Sequence, residues 1–134
     1  MTESKAVLGL TAVNLYSKNG AIASENGTAV DLLDYDGLGV VVLNVGRGGT
    51  DTDETLDVKL QHGALADGSD AADLPAGVAA DKSFTPVVYN AGSVQTKILD
   101  MSTCKRYLRA VPAVAGTTPV FYGSITFLGQ KKVR

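Results

Sequence analysis

Apolar and polar residues alternate in several short segments of the chain, most clearly in residues 55–62. Leu56, Val58 and Leu60 fall on one side of an extended strand there, and the polar residues between them fall on the other. Such alternation is typical of an antiparallel strand with one buried face and one solvated face. The pattern therefore predicts a half-buried β-strand.

Seven further segments are predicted as strands from β-branched runs or alternation bounded by turn residues. They cover residues 6–16, 21–33, 40–45, 84–89, 94–99, 105–114 and 120–128. Asn19-Gly20 predicts a tight hairpin between the first two, with Asn26-Gly27 as a second candidate, because these residues tolerate positive φ. Pro86 and Pro112 indicate edge positions or bulges, and Gly129 is expected to end the last strand.

No segment sustains a helical period, and residues 64–80 are interpreted as a long loop because glycines and a proline interrupt their alanines. About eight antiparallel strands at short spacing predict an all-β, single-domain β-sandwich or barrel, and a jelly roll fits that number of strands best. Residues 21–130 would form the sandwich and residues 131–134 a basic tail. Residues 1–20 would be either a first strand of the same sheet or an arm that pairs with a neighbouring subunit.

Composition excludes several classes of protein. Hydrophobic residues make up 45% of the 134 residues and the net charge is only −2, which argues against disorder. No apolar run approaches the roughly 20 residues that cross a bilayer, and the first residues do not resemble a signal peptide. We therefore expect a protein made in the cytoplasm with no membrane partner.

The small net charge conceals two oppositely charged regions. Residues 51–81 contain eight acidic residues and one basic residue, whereas residues 95–134 contain seven basic residues and one acidic residue. Complementary patches steer association between proteins; the alternative interpretation is that these charges only solvate loops and outer strand faces. Arg106 and Arg109 are the favoured contacts, because guanidinium groups pair well with carboxylates, and Tyr107 is a candidate rim aromatic. The full set of candidate interaction residues is Lys105, Arg106, Tyr107, Arg109, Lys131, Lys132, Arg134, Asp51, Asp53 and Glu54.

Candidate catalytic and metal-binding residues are few. His62 is the single histidine and Cys104 the single cysteine, and no serine lies in a nucleophile elbow. The acidic residues between 51 and 73 lack the spacing of a calcium-binding loop. The basic tail lacks nearby aromatic residues, so a nucleic-acid partner is not expected. We predict no catalytic residue, no metal and no cofactor, and hence no enzyme.

Three segments resemble small tailed-bacteriophage capsid decoration (cement) proteins. They are residues 55–63 followed by an Asp/Gly-rich loop, residues 105–111 followed by Gly-Thr-Thr-Pro, and Leu-Leu-Asp-Tyr-Asp-Gly at 32–37. The resemblance implies a jelly-roll protein on the virion surface that binds the phage major capsid protein and stabilises contacts between its subunits. A homo-dimer or homo-trimer is expected, because closed assemblies also cover sheet edges.

Two other classes of function remain open from the sequence. One is a β-sandwich adhesion or carbohydrate-binding module of a phage head or tail fibre, although the chain has no Trp and only five Tyr. The other is an enzyme with a metal site in the acidic region. For the decoration protein, the two charged regions predict association that weakens as salt is added.

Overall fold

Nine β-strands make up the regular structure of the computed structural model, which describes residues 10–46 and 51–132. The strands are β1 Leu10–Tyr16, β2 Val30–Asp31, β3 Tyr35–Val45, β4 Thr55–Gly63, β5 Ala72–Asp73, β6 Val87–Val88, β7 Ser93–Asp100, β8 Tyr107–Ala115 and β9 Gly123–Lys131. Within those residues there is no helix, and hence none that could cross a membrane. The predicted all-β class is confirmed.

The strands form two antiparallel sheets packed as a sandwich. The four-stranded sheet has the order β1-β9-β3-β7, and the five-stranded sheet has the order β2-β8-β4-β5, with β6 also paired to β4. Since β5 and β6 occupy successive parts of the same edge of β4, the sandwich has eight strand positions. This order, in which the chain crosses repeatedly between the sheets, is that of a jelly roll.

The core lies between the two sheets and is filled by alternate residues of the long strands. Leu56, Val58 and Leu60 are all buried, which confirms the inward face predicted for β4. The largest fully buried side chains also include Phe121 and Phe127. Each such side chain contributes about 1.5–3 kcal/mol by leaving water, so the alternating pattern accounts for much of the sandwich.

The prediction of a hairpin at Asn19-Gly20 is wrong. β1 pairs with β9, and its register runs from Leu10 opposite Gln130 to Tyr16 opposite Ile125. Gly20 does adopt a positive φ of 128°, but its turn leads the chain to the other sheet. Asn26-Gly27 forms no hairpin either, because the Gly27 N–H donates to the Ala110 carbonyl, 2.8 Å away.

Strand lengths differ from several predictions. Only residues 30–31 of the predicted strand 21–33, and only 87–88 of 84–89, are strand. Residues 25–27 instead follow β8 through isolated backbone bonds, and Ile22 N–H donates to the Phe121 carbonyl. The predicted loop 64–80 contains β5, and the last strand runs through Gly129 to residue 131.

The N-terminal part of the described chain is an edge strand of the protein's own sheet. β1 pairs antiparallel with β9 at residues 10–14 and 16, with a bulge between Asn14 and Tyr16. Residues 1–9, which belong to the predicted arm, lie outside the described residues. Pro112 fits its predicted position near an edge, because β2 pairs only with residues 107 and 108 of β8, and on the side away from β4 the Pro112 carbonyl meets the single backbone bond from Glu25 N–H.

Candidate interaction surfaces

The outer face of the four-stranded sheet, which we call the uncharged face, has charged residues only at one end. Strand register places Ala12, Leu128, Val40 and Ile98 side by side in one apolar row across all four strands. The outward positions are Leu10, Ala12, Asn14, Asp36, Leu38, Val40, Val42, Asn44, Val94, Thr96, Ile98, Asp100, Ser124, Thr126, Leu128 and Gln130. Asp36 and Asp100 both lie at the end where β3 begins.

Several large apolar side chains on the uncharged face are open to solvent. Val94 is 70% exposed, Leu38 67%, Ile98 61% and Leu10 54%. Contiguous exposed apolar surface is typical of sites that bind another protein, whereas single exposed apolar residues are ordinary. The shared strand register makes these residues one surface.

The outer face of the five-stranded sheet is charged and internally bonded. Arg109 donates from Nε and Nη2 to Oε1 of Gln61, at 3.0 and 2.8 Å, and Gln61 Nε2 donates to Asp73 Oδ1 at 2.9 Å. Asp73 also pairs with Lys59 at 3.1 Å and Lys82 at 3.0 Å. The Gln61 hydrogen bond, followed by those from Lys82 and Lys59, lowers the pKa of Asp73. Arg109, a predicted partner contact, is therefore engaged within its own chain.

Two predicted basic stretches meet at one end of the sandwich, which we call the basic end. Lys105, Arg106 and Lys132 line a cleft of about 200 Å³, and Lys131 Nζ lies 6.0 Å from the Tyr35 ring centroid. Both Lys131 and Lys132 are exposed. Arg134 lies outside the described residues. The fold thus brings together basic residues about 25 positions apart in the sequence.

Arg106 at the basic end is paired within its own chain. Its Nε and Nη2 donate to the two carboxylate oxygens of Asp31, at 3.0 and 2.8 Å. This hydrogen bonding raises the pKa of Arg106 and lowers that of Asp31. The guanidinium also lies 5.1 Å from the Tyr107 ring centroid. A partner carboxylate would therefore compete with Asp31 for Arg106, whereas Lys105 and Lys132 are exposed.

The three acidic candidates at the start of β4 hold a loop of their own chain. Glu54 is fully buried, and its carboxylate accepts from Asp51 N–H at 3.0 Å and Val120 N–H at 2.8 Å. Asp53 accepts from the backbone N–H and hydroxyl of Thr117, which lowers the pKa of Asp53. Asp51 accepts from the Thr118 hydroxyl. Glu54 has no surface for a partner to touch, so we leave it out of any interface.

His62 and Cys104 lie at the edge of the hydrophobic core, where His62 is buried and Cys104 is half-buried. His62 is 6% exposed, and its Nδ1 accepts from Lys105 N–H at 3.1 Å. Burial, and then the Lys105 charge, lowers the pKa of His62, while Asp70 opposes the shift. Burial raises the pKa of Cys104 to about 11. A thiol with such a pKa is a poor nucleophile at neutral pH.

The described residues contain no group of three His, Cys, Asp or Glu side chains able to hold a metal ion. A polar cleft of about 340 Å³ lies between the end of β1 and residues 25–28. Its polar groups bind one another, because the Tyr16 hydroxyl and Lys18 Nζ both donate to Glu25, at 2.6 and 3.1 Å. Burial of the Tyr16 side chain and its hydrogen bond to Glu25 raise the pKa of Tyr16.

The uncharged face was not predicted from the sequence, although one signal for it was present. Residues 38–43 read Leu-Gly-Val-Val-Val-Leu, with apolar residues in both phases of the strand. A strand that is apolar on both sides is typical of a sheet covered on both faces. The second phase, at Leu38, Val40 and Val42, forms the centre of the uncharged face.

Comparison with known proteins identifies no relative of this chain. No family model, no curated protein and no solved structure matches the chain. The strand order and the chemistry of the two outer faces are therefore the basis for a functional conclusion.

Proposed function

We propose that this protein is a non-enzymatic virion structural protein of a tailed phage. It would bind the outer surface of the head and stabilise contacts between major capsid protein subunits. The observation that carries the proposal is the difference between the two outer faces: one has a row of apolar side chains and charged residues only at one end, and the other is charged and internally bonded. The resemblance of residues 55–63 and 105–111 to decoration proteins supplies the phage shell as the partner.

The uncharged face is the proposed contact with the shell. Transfer of its exposed apolar residues out of water favours binding by about 25 cal/mol per Å² of apolar surface. In the same orientation the network of Arg109, Gln61 and Asp73 faces solvent, where no partner has to disrupt its hydrogen bonds. Lys105, Lys131 and Lys132 at the basic end form a charged rim, which is the kind of surface that guides approach more than it adds affinity.

Stabilisation of the shell follows from mass action. A protein that binds the assembled shell, and not the separated capsid subunits, shifts the assembly equilibrium by RT ln(1 + [L]/Kd). No covalent chemistry is required. The proposal therefore needs a surface and an affinity, and no catalytic residue.

The experiment compares head shells of the parent phage assembled with and without the protein, and measures their resistance to heat. Ile98→Lys places a charge in the apolar row at a side chain that is 61% exposed, so the fold should be little affected. Val88→Lys is the matched control, because Val88 is an exposed β-branched residue on the five-stranded sheet.

The proposal expects wild type and Val88→Lys to bind the shells and raise the temperature at which they rupture. Ile98→Lys should bind at least tenfold more weakly and give less protection. Shells of equal heat resistance with and without the wild-type protein would overturn the cement function. Equal binding by Ile98→Lys and wild type would overturn the assignment of the face.

A further inference from the structure

The edges of the two sheets differ in how well they are covered. At the β7 edge, the Gln95 side chain bonds to both the N–H and the carbonyl of Thr85, each at 2.8 Å, and Asp100 N–H donates to Val78. The outer edge of β4 is covered by β5, by Ser83 and by β6. The outer edge of β8 receives β2 and residues 25–27. Other segments of the chain thus contact each of these three edges, at β7 through the Gln95 side chain and the backbone bond from Asp100.

The remaining edge is the outer side of β1. Among residues 10–46 and 51–132, β9 is the only strand that pairs with β1, and it occupies one side. The sequence of β1 is Leu-Thr-Ala-Val-Asn-Leu-Tyr, without a charge or a proline. Natural edge strands are usually protected by lysine, proline or a covering segment. The bulge between Asn14 and Tyr16 leaves residues 10–14 as a regular edge.

We infer that a second copy of this chain pairs with this edge, β1 against β1 in antiparallel orientation about a two-fold axis perpendicular to the sheet. Two identical uncharged strands meet there without the repulsion that like charges directly opposite each other cause. Such an axis keeps outward residues outward, so Leu10 and Ala12 of both copies lie on the same face. The result is a continuous eight-stranded sheet.

The area of the uncharged face favours a second copy of the chain as the partner of β1. Four strands about 4.8 Å apart, with outward rows spanning roughly 24 Å, present about 450 Å² of sheet. A stable interface uses roughly 800 Å² on each partner. Two copies joined through β1 extend the row of Ala12, Leu128, Val40 and Ile98 across the axis and bring the shared face to about 900 Å². Pairing of the two β1 edges does not depend on the shell being the partner, whereas the use of the enlarged face for binding rests on the proposed function.

The test measures the mass of the full chain in solution by sedimentation equilibrium over a concentration series. Wild type should approach twice 13.8 kDa. Ala12→Lys introduces like charges across the axis and should return the mass to that of the monomer. Thr96→Lys is the matched control, since it adds the same charge to the same outer face on β7, at the opposite edge of the sheet from β1. An equimolar mixture of Ala12→Lys and Ala12→Asp should recover the dimer.

Each outcome decides the inference. A dimer that is lost in Ala12→Lys, kept in Thr96→Lys and recovered in the mixture supports edge pairing. A wild-type monomer at every concentration overturns it, and the edge would then be free for a strand of another protein. Equal loss in both lysine variants also overturns it, because it indicates association through the faces. Shell binding by a monomeric wild type would leave the proposed function standing without the dimer.

Discussion

Glu54 shows how a single residue can be misjudged from charge alone. In the sequence it belongs to an acidic region, but in the structure it is fully buried and accepts two backbone hydrogen bonds, one from each side of the gap between residues 51 and 120. A carboxylate has the acceptor capacity for both. Its function in the structure is to hold residues 115–120 against the start of β4.

We expect Glu54→Ala to lower the free energy of unfolding by about 2–4 kcal/mol, because it removes a fully buried side chain and leaves two partly buried N–H groups without acceptors. Urea denaturation of the purified variant measures this. Asp57→Ala is the control, because Asp57 is an exposed carboxylate on β4, which begins next to Glu54; it should change stability by no more than about 0.5 kcal/mol. Equal effects of the two substitutions would contradict the bracing role of Glu54.

The free energy of unfolding should depend on pH through a single residue, His62. Burial lowers its pKa in the folded chain below the ordinary value of 6.5, so the unfolded chain binds the proton more readily. The stability due to neutral His62 is therefore fully present above about pH 6.5 and is lost as the pH falls below that value.

We expect His62→Gln to flatten this part of the stability profile, because the chain contains no other histidine. Free energies of unfolding at a series of pH values from about 8 to 5, where histidine titrates, provide the measurement. Above this range the two proteins should show parallel profiles. Profiles that are parallel throughout the range would show that His62 titrates alike in the folded and unfolded chains.

At the scale of a strand, β9 contains a glycine that packing requires, Gly129, which the sequence predicted to end the strand. Gly129 lies within the strand, opposite Thr11 of β1. A Cβ at this position would meet the Phe127 ring at 2.5 Å and the Tyr35 ring at 2.8 Å. These two rings are in edge-to-face contact, with centroids 5.3 Å apart. Glycine is required here because the rings occupy the space of a side chain.

Gly129→Ala should therefore lower the thermal stability, at a cost of about 1–3 kcal/mol typical of overpacked cores. Gly77→Ala is the matched control, since nothing lies within 4 Å of a Cβ at that position. Differential scanning calorimetry of both variants distinguishes steric overlap from the general effect of replacing a glycine. A Gly129→Ala variant as stable as Gly77→Ala would mean that the rings move aside at little cost.

The strands that sequence reading located well are those with strong local signals. β4 and β7 were predicted within one residue at each end, since alternation and flanking turn residues define them. β2 and β6 were overestimated, because residues 21–33 and 84–89 have strand-like composition but bond to their neighbours at isolated points. The hairpin at Asn19-Gly20 failed because a turn sequence does not determine which strand becomes the partner. Jelly-roll pairing joins strands as distant as β1 and β9.

At the scale of the whole molecule, part of the charge that is separated along the sequence is paired within the fold. Asp73 from the acidic region pairs with Lys59 and Lys82, and Arg106 from the basic region pairs with Asp31. Part of the predicted electrostatic contrast is thus neutralised within the chain. The surface that remains distinctive is the uncharged face, and it favours a different kind of association from the one that the charge pattern predicted.

The two kinds of association differ in their response to salt. An apolar contact has no ion pair to screen, so we expect shell binding to be retained or strengthened as sodium chloride is raised, and strengthened further by sulfate. Arg106→Glu combined with Arg109→Glu should lose the contacts to Asp31 and Gln61 but retain shell binding. Co-sedimentation of the protein with shells at low and high salt, using wild type and the double variant, measures both effects. Binding that falls steeply with salt and disappears in the double variant would instead locate the contact at the charged residues, as the sequence alone had predicted.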